Sequence, residues 1–215
     1  TKLPLLIMLM FNFWAMLSDT IERAGIGLLY VFWIKDGSSY GTICPNNILL
    51  IPTINRPEFV KRTVLYYDYL KSNHPIYIGD ASDDEISRST LSFLKGINNV
   101  CVKYFHLKGL GTAQTLGKLA KEASAERDYC AFHGDEDYFI QSSLTECAEF
   151  LSKNPDYRTA QGRAVLVSMD SPEPVCGIDG IGQYWGENSI ESSSRYERYC
   201  YFVNNYYVLQ FSVHR

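Results

Sequence analysis

The sequence predicts an α/β fold, with a mainly parallel sheet flanked by helices on both faces. Three observations carry that expectation. Short, largely apolar runs, Ile48–Ile51, Pro75–Ile78, Val100–Phe105 and Tyr129–Phe132, have the length of strands, and the continuous run Ile48–Ile51 has the hydrophobicity of one buried on both sides. Stretches of helical spacing or composition separate them. The connections between strand and helix are short and polar, as repeated βα units require.

The elements follow in order. The organised domain is expected to begin near Pro45. After Ile48–Ile51, Pro57 stands where a first helical turn accepts it, and Phe59, Val60, Val64, Tyr67 and Leu70 follow at roughly helical spacing. The second strand, Pro75–Ile78, ends at Gly79-Asp80, and Ser89–Leu94 reads as a short helix before the third strand. Leu116–Ala125 is rich in Ala, Lys and Leu and reads as a helix despite Gly117. The fourth strand is broken by His133-Gly134 and then Asp135-Glu136-Asp137. Ser143, with Glu146 three residues on, has the pattern of a capping box opening a helix through Leu144, Cys147 and Leu151 towards Pro155. Later, Ala164–Val167 reads as a strand, Ser192–Phe202 as a helix and Tyr206–Val213 as a last strand. No internal repeat is visible.

Residues 1–44 differ in character. Two apolar runs, Leu3–Leu17 (interrupted by Asn12) and Ile26–Ile34, flank a polar stretch with Asp19, Glu22 and Arg23. Each run is shorter than the roughly 20 residues of a membrane helix, and only Lys2 offers the basic front end of a signal peptide. A membrane anchor through residues 1–34, a core helical hairpin and an extension upstream of the domain are the alternatives. The chain begins without Met and stops at Arg215 directly after an apolar run, and it is read as a fragment at both ends.

With 215 residues, 46% hydrophobic and 20% charged, the chain has the composition of a globular domain. A formal charge of −4 provides no basic field for nucleic acid. Six cysteines lack CxxC pairs, which argues against structural zinc. Cys101, Cys130 and Cys147 fall in apolar runs, and buried free thiols fit a reducing, cytoplasmic compartment. The 16 tyrosines suit packing at a partly wet surface or stacking on sugars.

In open parallel sheets, ligands bind beyond the carboxyl ends of the strands. Three polar clusters fall there: Pro52-Thr53-Ile54-Asn55-Arg56-Pro57, Gly79-Asp80-Ala81-Ser82-Asp83-Asp84-Glu85, and Gly134-Asp135-Glu136-Asp137. Asp135 and Asp137, two apart, can reach one hard divalent cation, Mg²⁺ or Mn²⁺, which takes oxygen ligands and shares phosphate oxygens. The competing structural explanation is an acidic turn before a helix N-terminus.

The run Asn47–Thr63 resembles the opening of family-two glycosyltransferases of the GT-A fold, where a strand leads through Pro-Thr to Asn-Arg and a helix. Ile76–Asp84 is similar to that family's second strand and its Asp-x-Ser-x-Asp turn, and Tyr129–Phe139 to the strand ending in its DxD metal site. The resemblance covers Ile48 to about Val165 and divides the domain 45–215 into a nucleotide-binding half, 45–140, and a partial acceptor half, 141–215. It implies that Pro52, Thr53, Asn55 and Arg56 line the nucleotide pocket, with Asp80 on the base, Asp83 close by and Lys118 on base or phosphate. Asp135 would face the ribose and sugar and Asp137 would bind the metal, with His214 an additional ligand. In the acceptor half Glu187 and Glu191 are the candidate bases, and Tyr184-Trp185 a sugar-stacking platform. The implied reaction is metal-dependent, inverting transfer from a nucleoside diphosphate sugar, UDP-sugar first, to a glycan, lipid-linked or protein acceptor. Departures are Gly79-Asp80 in place of Asp-Asp, an Asp80-to-Asp83 spacing one residue short of Asp-x-Ser-x-Asp (which Asp84 fits instead), and Glu136 in the middle of the DxD. Two alternatives remain: a catalytically inactive nucleotide- or carbohydrate-binding module, and a flavodoxin-like phospho-acceptor domain, against which the long tail beyond Pro155 counts.

Overall fold

A computed structural model describes residues 47–162, 164–170, 178–183, 189–205 and 212–215. The extension 1–44, Glu187 and the Tyr184-Trp185 pair lie outside the described residues. The elements are β1 Ile48–Thr53, α1 Pro57–Tyr69, β2 Ile76–Asp80, α2 Asp84–Leu94, β3 Val102–His106, α3 Thr112–Ser124, β4 Cys130–Phe132, α4 Gln141–Lys153, β5 Thr159–Ala160, β6 Val165–Met169, β7 Ile178–Gln183, α5 Arg195–Asn205 and β8 Val213–His214.

A six-stranded sheet runs β3-β2-β1-β4-β8-β5. β1 pairs in parallel with β2 and β4, and β2 with β3. β8 runs antiparallel between β4 and β5, with His214 opposite both Cys130 and Thr159. β6 and β7 form a separate antiparallel pair. The α/β class expected from the sequence is therefore the class observed, and the helices do cover both faces. On one face Leu49, Ile51, Ile76 and Ile78 pack with Val60, Val64 and Tyr67 of α1 and Leu144, Ala148 and Leu151 of α4. On the other, Ile48, Leu50 and Tyr77 pack with Leu116, Leu119 and Ala123 of α3. Alternation along β1 sends successive side chains to opposite faces, so a strand apolar throughout must be covered twice.

Several boundaries differ from the expectation. α2 begins at Asp84, not Ser89: Asp83 is its N-cap and Asp84 and Glu85 fill the first turn, where the helix dipole favours carboxylates. α3 begins at Thr112 rather than Leu116, with the Gln114 side chain accepting the Gly111 N–H at 3.2 Å. The capping box at Ser143 is not formed. α4 starts at Gln141 with Ile140 at its N-cap, and Ser143 lies buried within the first turns. The later apolar run forms β6 over Val165–Met169, outside the main sheet; β8 occupies the place beside β4 instead. The last helix is Arg195–Asn205, with no buried side chain, and it exposes Tyr196, Tyr199 and Val203. Cys101 is exposed just before β3, whereas burial pushes the Cys147 thiol up to about 12. Among the described residues no helix is long and apolar enough to cross a membrane.

α1 ends in a Schellman motif. Lys71 takes a left-handed φ of 53°, its N–H bonds the Asp68 carbonyl at 3.0 Å, and Ser72 N–H bonds the Tyr67 carbonyl at 3.0 Å. The chain thereby turns back sharply into β2.

Candidate functional site

The order β3-β2-β1-β4 reverses direction at β1, so the crevice outside the carboxyl ends of β1 and β4 is a topological switch point. The register brings Thr53 level with Asp80 and Asp80 level with His106, while His133 N–H bonds the Leu50 carbonyl at 3.0 Å. The loop after β4 consequently rises beside the end of β1.

Asp135 sits at the centre of that crevice and is buried. Thr53 Oγ1 donates to its Oδ2 at 2.7 Å, Arg56 Nη1 pairs with its Oδ1 at 2.8 Å, and Thr63 Oγ1 donates to its backbone carbonyl at 2.6 Å. Arg56 also pairs through Nη2 with Glu136, and its guanidinium lies 4.0 Å from the Phe59 ring centroid. Burial outweighs the Arg56 attraction and pushes the Asp135 carboxyl up to about 7.

Asp137 is buried as well, and among the described residues its Oδ1 has no hydrogen-bond partner. Burial first, then the charges of Glu136 and Asp135, raise its carboxyl well above the ordinary value. Its N–H bonds the Gly134 carbonyl at 3.2 Å. A Cβ on residue 134 would stand 2.2 Å from Asp137 Oδ2, so glycine there is what lets the carboxylate turn inward. An orphaned, buried, all-oxygen donor beside two further carboxylates suits a hard cation that completes its shell with phosphate and water. Among the described residues no group of three or more His, Cys, Asp or Glu side chains is arranged as a metal cage. The carboxylates present would thus hold a cation only together with ligand oxygens, not as an all-protein site.

Asp80, at the end of β2, is differently placed. Its Oδ1 accepts the Ser82 N–H at 2.8 Å and its Oδ2 the Tyr104 hydroxyl at 2.6 Å. Ser82 Oγ in turn accepts the Asn55 N–H at 2.7 Å, which ties this turn to the one after β1. Asn55 holds a φ of 55°, a region asparagine tolerates. Gly79 beside it faces α3, where a Cβ would lie 2.4 Å from Thr115 Cγ2. The missing second carboxylate of the strand end thus has a steric cause.

Thr53, Asn55, Arg56, Asp80, Asp135 and Asp137 are brought to one end of the sheet, with Pro52 level with Gly79 in the β1–β2 register. Asp83 is exposed at the α2 N-cap, 3.7 Å from Lys108 Nζ. Lys118 is on the exposed side of α3, opposite its buried Thr115, Leu116 and Leu119. His214 stacks on Phe132 at 4.8 Å and pairs with Cys130, well back along β4 from Asp135 and Asp137. Glu191 is exposed, and its Oε1 accepts the Tyr157 hydroxyl at 2.6 Å.

Sequence reasoning missed three residues beneath the acidic loop: His133, Tyr67 and Thr63. His133 is buried, and desolvation drives its ring down to about 4. Tyr67 was legible only as a core position. The available signal was the spacing of Thr63 and Tyr67, one helical turn apart on the sheet-facing side of α1.

No protein-family model and no curated protein matches the sequence. Among solved structures, the chain is similar to the mannosyltransferase PcManGT from Pyrobaculum calidifontis, in complex with GDP-Man and Mn²⁺. That likeness has 12% identity and a TM-score of 0.46, and covers 56% of this chain and 36% of that one. The chain is also similar to TarS 1–349 of S. aureus, at 15% identity and a TM-score of 0.39, over 51% of this chain and 33% of that one. The chain thus spans about a third of the length of either. Both likenesses are of fold at low identity, and the functional reading rests on this chain's own residues.

Proposed function

We propose that this chain is the donor-binding part of a glycosyltransferase, taking a nucleoside diphosphate sugar (UDP-sugar first) across the carboxyl ends of β1, β2 and β4. The observation that carries the reading is the meeting of Asp135 and Asp137 with Thr53 and Arg56 at the switch point of the sheet. Asp137 would hold Mn²⁺ or Mg²⁺, which supplies neutralisation of the diphosphate leaving group. Arg56, committed to Asp135 and Glu136, can exchange those partners for phosphate oxygens. Asp80 presents lone pairs beyond the two that Ser82 and Tyr104 use, which suits an N–H of a base. Glu191, or Glu187, would take the proton of the acceptor hydroxyl in an inverting transfer to a glycan, lipid-linked or protein acceptor.

A second reading, a nucleotide- or carbohydrate-binding module without transfer, is favoured by one observation: Glu191 is exposed and occupied by Tyr157. Calorimetric titration of UDP into the full chain, with and without Mn²⁺, tests the common part of both. Uptake that needs Mn²⁺ and is lost in Asp137→Ala supports the donor site. A folded sample that binds neither UDP nor GDP overturns it.

A further inference from the structure

We propose that helix α1 is the positioning element of the acidic loop, its Tyr67 hydroxyl tying both ends of residues 133–139 together and so setting the cation geometry at Asp137. This rests on the donor-site reading above and goes beyond it by naming what holds the carboxylates in place.

The Gly134 carbonyl can only accept, so His133 Nδ1 carries the proton of that contact. The other ring nitrogen, Nε2, is hydrogen-bonded to the Tyr67 hydroxyl at 2.8 Å. The same oxygen accepts the Phe139 N–H at 2.9 Å. One buried hydroxyl therefore bridges the residue two before the acidic triplet to the residue two beyond it. Two neighbours on α1 add to the clamp: Thr63 Oγ1 holds the Asp135 carbonyl at 2.6 Å, and Tyr66 Oη holds the Phe139 carbonyl at 3.2 Å. Arg56, directly before the helix, takes the Asp135 carboxylate.

Three residues of the helix and its N-cap Arg56 thus grip the loop at His133, Asp135 and Phe139. Packing is supplied by rings at the same place, Tyr67 on His133 at 5.6 Å between centroids and His133 on Phe139 at 4.9 Å. A phenylalanine at 67 would keep that packing. What the hydroxyl adds is orientation, the role that partners behind metal ligands play, and their removal typically weakens metal affinity about 10–100-fold.

The test is Mn²⁺ titration of the full chain, with and without UDP, followed by the paramagnetic resonance of free and bound Mn²⁺. Wild type is compared with Tyr67→Phe and Thr63→Val. The expected result is Mn²⁺ affinity lower by about tenfold or more in Tyr67→Phe, with a broadened bound-ion spectrum and unchanged metal-free UDP affinity. A Tyr67→Phe protein that melts earlier but binds Mn²⁺ with the wild-type affinity and spectrum shows a merely structural hydroxyl and overturns the inference alone. Wild type that takes up no Mn²⁺ even with UDP overturns the donor-site reading and this inference with it. Should Tyr67→Phe fail to fold, the isosteric Thr63→Val decides by the same two readouts.

Discussion

Two carboxylates stand at the ends of neighbouring parts of one sheet, both buried, and the fold treats them in opposite ways. Asp80 receives a backbone N–H and a phenolic hydroxyl within its own turn and from β3. Asp137 keeps one oxygen with no partner and a carboxyl driven well above its ordinary pKa by burial and by Glu136 and Asp135. A chain that can close hydrogen bonds around a buried charge at Asp80, and leaves one open at Asp137, gains nothing in stability from the second. The open one is where a cation has something to contribute.

Substitutions sharpen this contrast in descending order of effect. Asp80→Ala strands the Ser82 N–H and leaves the Tyr104 hydroxyl with Ser87 alone. It should cost about 2–4 kcal/mol in urea denaturation, the scale of two hydrogen bonds to a charged acceptor. Gly79→Ala drives a methyl to 2.4 Å from Thr115 Cγ2 and 3.1 Å from Leu119 Cδ1; overpacking of that kind costs about 1–3 kcal/mol.

Asp137→Asn should act with the opposite sign. A carboxyl whose folded pKa is raised contributes stability fully present below its unfolded value, and that contribution is lost as pH rises towards the folded value. Asparagine suffers no such loss. The variant should therefore be more stable than wild type by about 1–3 kcal/mol at pH 8 without metal, and the difference should vanish near pH 3. It should also lose Mn²⁺-dependent nucleotide uptake, and equal melting temperatures of the two proteins across that pH range would count against a strained Asp137. The smallest effect is expected of Lys108→Ala, which removes an exposed pairing with Asp83 and Asp84. Its denaturation midpoint should match wild type at moderate salt, because exposed ion pairs are screened.

The same contrast bears on what could be seen in the sequence. β1 and β2 were legible because a strand covered on both faces has to be apolar at nearly every position, as Ile48–Ile51 is. The carboxylates were legible because they stand at the ends of such strands. The partners that distinguish Asp80 from Asp137 were not. Tyr104 lies 24 residues from Asp80, and Thr63 lies 72 residues from Asp135; only the fold brings them together. Ser143 and Glu146 misled for a related reason. Their capping pattern was genuine in spacing, but the helix had already begun at Gln141, with Thr145 Oγ1 accepted by the Gln141 carbonyl at 3.2 Å. The acidic stretch Asp83–Glu85 read as a loop because charge alone does not distinguish a loop from a first helical turn. β5, two residues long, carries too little pattern to be read, while the strand expected over Tyr206–Val213 meets β8 at Val213 and otherwise lies largely outside the described residues.

The insertion of β8 between β4 and β5 has a kinetic consequence. β1, β2 and β3 meet through neighbours in the chain, whereas Cys130 finds His214 only across most of the remaining length, and Arg215 then reaches back to the Tyr129 hydroxyl at 3.3 Å and the Pro155 carbonyl at 3.1 Å. Pairings of such long separation form late. During synthesis, β4 and the acidic loop it carries would wait with one bare strand edge until residues 212–215 leave the ribosome, and in refolding the β4–β8–β5 side should gain amide protection after the β3–β2–β1 side.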